Sequence, residues 1–287
     1  MNDPLTDLAS AVFHVRLYPD YPSPQQKEWY GQAIRAVFLR AVNMDYSPHI
    51  STEMHRDNQL RAYSVSNLCP SPGSENGQTP QQFSFYINVC QKESLLALLH
   101  CTLPGNQLSL GSHLNLSGLH CQIIDWNLCD RATYKELSET MLNRKSKSCQ
   151  TIDLRFVSPV YFKDTKTAQY TARITPAKVF GSLLSKWQTF TNLSYPEQLR
   201  IFLQDHVFIN TEEIAVVKLN ASSPAPEGSV GLARFISDTP KDPAWSYMRV
   251  LARFAEFSGV GKDTAIGYGR TYLESEKVTS ASIRAKK

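Results

Sequence analysis

Two stretches of the chain hold residue types that could do chemistry. The first is SPHISTEMHRDNQLRAYSVSNL, residues 47–68, where His49 and His55 stand in a polar, non-periodic segment and Arg61 follows His55 by six positions. Histidine can take up or give away a proton at working pH because its unperturbed pKa lies there, and a guanidinium can hold negative charge that develops nearby. A histidine in a segment of this kind is expected in an exposed loop. His14, His100, His113, His120 and His206 fall within or beside regular elements, where structural roles are expected. The second stretch is GVGKDTAIGYGR, residues 259–270, which holds four of the chain's 13 glycines. Glycine is used where φ is positive or where another group comes close to the backbone. The pattern GxxxxGK[ST] is absent and the preceding element reads as a helix, so neither a P-loop nor a dinucleotide fingerprint is present. Gly259 is expected at a helix C-cap, and Gly267 and Gly269 within a final strand.

Charge points in the same general direction. Residues 141–190 carry Arg144, Lys145, Lys147, Arg155, Lys163, Lys166, Arg173, Lys178 and Lys186 against Asp153 and Asp164, a local net of +7 in a chain of net charge +4. The remainder is therefore net acidic, and the segregation suggests a basic face for nucleic acid. No apolar run approaches the roughly 20 residues that span a bilayer. The start, MNDPLTDLAS, lacks the basic and apolar regions of a secretory signal, so a cytoplasmic location is expected. The six cysteines, 69, 90, 101, 121, 129 and 149, show neither zinc nor redox spacing, and are expected to be reduced and mostly buried.

These residues need elements to position them. VFHVRLY (12–18) alternates as a strand, a helical pattern runs over roughly 25–42, and strands are expected at 61–68 and 82–89. KESLLALLH (92–100) reads as a short helix, 107–129 as further strands, and 131–144 as a polar helix-like piece before the linker RKSKS. The pattern then begins again: a strand at 151–159, a helix at 175–190 opened by Thr175 and Pro176, strands at 212–221 and 228–236, a helix opened by Asp242-Pro243, and a last strand in IGYGRTYLE. The second half is β-α-β-β-α-β, the ferredoxin-like order, and the first half fits it too. The expected fold is α+β, two tandem ferredoxin-like domains over residues 1–140 and 150–276, followed by a basic tail, 277–287.

A helix, then GVG, a polar turn and GYGR opening the last strand resembles the glycine-rich signature of the RAMP superfamily of CRISPR-associated RNA-binding proteins. FVSPVYF (156–162), VFGSLLSKW (179–187) and GSVGLARF (228–235) stand in matching order. Within the superfamily the chain resembles the endoribonuclease that cuts precursor CRISPR RNA inside each repeat. That resemblance implies a metal-independent reaction without cofactor: the RNA 2′-OH attacks the adjacent phosphate and leaves a 2′,3′-cyclic phosphate and a 5′-OH. It implies His55 and Arg61 as the catalytic pair, with Tyr30, Arg35 or His49 as candidates for a third partner. It also implies Gly259, Gly261, Lys262, Gly267, Gly269, Arg270, Arg155, Lys163, Arg173 and Lys178 as RNA-binding positions. The expected partner is repeat RNA; other subunits of a CRISPR effector complex and a second copy of the chain are further candidates. The alternative is a RAMP subunit that binds guide RNA as a scaffold and cuts nothing.

Overall fold

The computed structural model describes residues 6–18, 29–56, 60–70, 82–143, 151–164, 167–191, 198–219 and 225–274. The start of the expected first helix, the linker RKSKS, Lys166, Cys149 and the basic tail lie outside the described residues. The chain divides into two compact units, one of Met1–Thr133 with Ala265–Gly267, the other of Tyr134–Thr264 with Tyr268–Lys287. The expected boundary at residue 140 thus falls inside a helix that belongs to the second unit.

The first unit runs β1 (Leu8–Leu17), α1 (Gly31–Ala41), a π-helical turn at Val42–Tyr46, α2 (Pro48–His55), β2 (Tyr63–Val65), β3 (Cys69–Pro70), β4 (Gln82–Val89), α3 (Lys92–Cys101), β5 (His113–Leu116) and β6 (Leu119–Ala132). Its antiparallel sheet has the order β2-β4-β1-β6-β5, with β3 also paired to β4. Without β3 and the edge hairpin strand β5, that is the four-stranded order of a ferredoxin-like domain. Alternation along β1 sends Ala9, Ala11, Phe13 and Val15 into the apolar core, where Phe13 stacks on Phe85 of β4 at 5.1 Å. Ser10 lies on the opposite face and donates to Asn88 at 2.6 Å, and Asn88 donates to Ser64 at 3.0 Å.

The second unit opens with α4 (Tyr134–Asn143) and continues β7 (Thr151–Val160), β8 (Phe162–Lys163), β9 (Tyr170–Thr171), α5 (Pro176–Phe190), α6 (Gln198–Asp205), β10 (Val207–Lys218), β11 (Glu227–Ser237), α7 (Pro243–Ser258) and β12 (Thr271–Leu273). Its sheet order, β10-β11-β7-β12, is again ferredoxin-like. Two helix starts have the chemistry expected of them. Thr175 accepts from the Lys178 N–H and Asp242 from the Ala244 N–H, each with proline at the first helical position. α4 docks here through Tyr134, which meets Trp187 of α5 edge-on at 5.0 Å and Phe254 of α7 at 5.8 Å. Gly267 and Gly269, expected within the last strand, instead lie in the turn that precedes β12.

Among the described cysteines, Cys90, Cys101 and Cys121 are buried, Cys69 is half-buried and Cys129 is exposed. Burial pushes the Cys101 and Cys121 thiols up to about 12, with the charge of Asp45 adding to the effect at Cys101. A thiol reagent at neutral pH is therefore expected to modify Cys129 in the folded protein and to reach Cys101 and Cys121 only after denaturation. Peptide mapping of the labelled protein checks this. Among the described residues no helix is long and apolar enough to cross a membrane.

Candidate active site

The first unit gathers a histidine, two arginines and a tyrosine. α1 buries Ala33, Ile34, Val37, Phe38 and Ala41, which leaves Arg35 half-buried at its margin. α2 follows after the π-helical turn. Ser47 caps it by accepting from the Ile50 N–H, Pro48 takes the first helical position, and Ser51 donates to Leu39 O at 2.9 Å, which ties α2 to α1. His55 is the last residue of α2 and is exposed. It therefore ends a short helix and does not sit in a loop. Tyr63 of β2 is 1% exposed and meets Phe38 edge-on at 5.5 Å.

Arg35 joins these groups. Its Nε donates to the Tyr63 hydroxyl at 3.1 Å and its Nη2 lies 3.1 Å from His55 Nδ1. A guanidinium can only donate, so Nδ1 accepts and the proton of the neutral imidazole sits on Nε2. Burial raises the Tyr63 pKa above the usual tyrosine value, while the charges of Arg35 and Arg61 act the other way. The phenol stays protonated at neutral pH and serves as a fixed acceptor for Arg35. Arg61 donates to Met54 O at 3.0 Å and to Arg56 O, carbonyls at the C-terminal end of α2 where a cation is favoured. Its contacts fix the helix end that carries His55. The arrangement places an exposed acid–base group beside an anchored cation.

The other two candidates stand apart from this cluster. His49 is exposed in the first turn of α2, six residues and about 120° around the helix from His55. Tyr30 is buried at the N-cap of α1, its backbone N–H donating to Asn67 Oδ1 at 2.7 Å. Spacing could not single out Arg35, because it meets His55 only once α1 and α2 have packed.

The glycine turn is built by the protein's own backbone. Gly259, Gly261, Gly267 and Gly269 all have positive φ. A Cβ on Gly269 would lie 1.9 Å from Val260 O, and one on Gly261 would lie 2.4 Å from Tyr161 O. One on Gly267 would meet Trp29 Cζ2 at 3.1 Å, within the first unit. Inside the second unit, Lys186 is 4% exposed and donates from Nζ to Ser258 O at 2.9 Å and Gly259 O at 2.8 Å, with Thr264 Oγ1 at 3.4 Å. Counted in the sequence toward a basic face, Lys186 is a buried cation at the C-terminal end of α7, and its periodicity within the apolar run VFGSLLSKW was the available signal. Lys186→Met removes the ammonium from these buried acceptors, of which Gly259 O keeps a bond from the Ser258 hydroxyl, and is expected to destabilise by about 1–3 kcal/mol, checked as a lower thermal midpoint.

The remaining basic candidates divide. Arg155 is held in a bidentate pair by Glu274, with Nη2 to Oε2 at 3.1 Å. Arg270 lies over the Tyr272 ring at 4.9 Å and donates to its hydroxyl. Lys163, Arg173 and Lys262 are exposed, and Lys178 is half-buried in the first turn of α5.

Two ferredoxin-like sheets follow one another along the chain, with a glycine turn before the last strand. The family model of the CRISPR-associated endoribonuclease Cas6 matches residues 154–271. The fold of the chain as a whole is shared with solved structures. A Cas6 (TTHB231) product complex is 17% identical with a TM-score of 0.70, covering 93% of this chain and 99% of that one. Cas6 (TTHB231) is a Thermus thermophilus protein. A Cas6 (TTHA0078) product complex is 19% identical with a TM-score of 0.68, covering 93% and 98%. A structure described as an RAMP protein binding different RNA substrates is 12% identical with a TM-score of 0.60, covering 92% and 99%. Among curated protein sequences none matches the chain.

Proposed function

We propose that the chain is a metal-independent endoribonuclease that cuts CRISPR repeat RNA by attack of a 2′-OH on the adjacent phosphate, leaving a 2′,3′-cyclic phosphate and a 5′-OH. The observation that carries this reading is the contact of Arg35 with His55 at 3.1 Å, an exposed imidazole beside a guanidinium anchored on a buried phenol. RNA brings its own nucleophile, so the protein has to supply a proton-transfer group and positive charge for the phosphorane. His55 supplies the first. Arg35 supplies the second, a permanent positive charge held beside His55. Arg61 acts through His55 by holding the end of α2. The Cas6 match of residues 154–271 supports repeat RNA as the substrate. Lys163, Arg173, Lys178, Lys262 and Arg270 of the second unit are the proposed phosphate contacts, with the four glycines shaping the turn that presents the last two.

Purified protein incubated with repeat RNA in EDTA tests the proposal. The expected result is cleavage at one position in each repeat, with 5′-OH ends on the downstream product. Tight binding without cleavage identifies the chain as a scaffold subunit.

A further inference from the structure

The second unit contains a cavity of about 430 Å³ between β9 and the β10–β11 hairpin, lined by Tyr170, Thr171, Ala172, Arg173, Val216, Pro226 and Glu227. That size falls in the range of small-molecule sites, roughly 300–1,000 Å³. Its walls are built. The Ser229 hydroxyl donates to Ala172 O at 2.7 Å and ties β11 to the strand end, and the Arg173 N–H donates to Thr171 Oγ1 at 3.1 Å, which sets the backbone at Arg173. The Tyr170 ring meets Tyr161 edge-on at 5.9 Å and carries Lys163 Nζ 5.7 Å from its centroid. Among the described residues the Arg173 guanidinium and the Glu227 carboxylate each lack an ion-pair partner, and both residues are exposed at the rim.

We propose that this cavity is a subsite for one unpaired guanine nucleotide of the RNA, a reading that rests on the proposed function and deepens it. An aromatic ring with Val216 and Pro226 offers the apolar walls that a base face prefers. Arg173 supplies the cation for the phosphate attached to that nucleotide. Glu227 sets the choice of base. An ionised carboxylate only accepts, through two oxygens. The Watson–Crick edge of guanine has adjacent N1–H and N2–H donors that fit both, whereas uracil offers a single N3–H donor flanked by two carbonyl oxygens, so one carboxylate oxygen would face a carbonyl.

Binding of GMP and UMP to the intact protein, measured by saturation-transfer NMR, tests this without reading cleavage, so the RNA-cutting activity stands or falls separately. The expected result is GMP binding at least about tenfold tighter than UMP. Glu227→Gln should level the two, and Arg173→Ala should weaken both by a similar factor. A pentanucleotide with one guanosine among uridines should bind more tightly than GMP, as a base within RNA requires. Equal affinity of GMP and UMP, or a guanine preference that survives Glu227→Gln, overturns the subsite. GMP binding more tightly than the pentanucleotide overturns its assignment to RNA.

Discussion

His55→Ala is expected to slow cleavage of bound repeat RNA by about 10²–10⁴-fold, the usual contribution of one general acid or base, while leaving the dissociation constant nearly unchanged. The effect should appear in the single-turnover rate because His55 is exposed at the end of α2, with Ser51 and Met54 as the helix's buried residues, so its removal disturbs no core. Arg35→Ala should behave differently. It removes the contact to His55 Nδ1 and leaves the buried Tyr63 hydroxyl without the bond from Nε, so both the rate and stability should fall. Arg35→Lys restores charge but not the fork that bridges Tyr63 and His55, and should recover stability better than rate. Unchanged cleavage by His55→Ala would remove the residue from the mechanism.

Gly269→Ala should produce the largest loss of stability in the glycine turn. The residue has φ +70°, where an added side chain costs about 1–2 kcal/mol. The new Cβ would also lie 1.9 Å from Val260 O, the carbonyl of a residue whose own N–H bonds Gly269 O at 2.8 Å. Backbone held on both sides cannot move aside cheaply, and overpacking of this kind adds about 1–3 kcal/mol. A total of about 3 kcal/mol or more is expected, read as a lower thermal midpoint. Gly181→Ala is the control. Gly181 lies inside α5 with nothing within 4 Å of an added Cβ, so the substitution should stabilise by about 0.5–1 kcal/mol.

Much of the fold was legible because its signals are local. QFSFYINV alternates and forms β4 over residues 82–89, and Thr175-Pro176 and Asp242-Pro243 open helices through a side-chain oxygen and a fixed φ, both set within a few residues. α2 carries the same kind of signal in Ser47-Pro48, yet it buries only Ser51 and Met54, so there was no apolar stripe to mark it as a helix. The candidate site was half legible. His55 stands out by type and setting. Its contact with Arg35, 20 residues away, comes from the packing of two helices, and no spacing rule encodes it. Lys186 was misplaced for a related reason: charge in a sequence reads as surface, and only tertiary structure reveals carbonyls gathered around an ammonium. The glycines of GVGKDTAIGYGR mark points of close approach, by Tyr161 O at Gly261, Val260 O at Gly269, and the Thr264 and Trp29 side chains at Gly259 and Gly267.

The most direct measurement of the central claim is cleavage, in EDTA, of a repeat RNA that carries a single 2′-deoxynucleotide immediately 5′ of the scissile phosphate. The account predicts that this RNA binds as tightly as its all-ribose counterpart and is not cut, because the attacking hydroxyl has been removed. Cleavage of the deoxy-substituted RNA at the all-ribose rate would contradict it, since the nucleophile would then have to come from elsewhere.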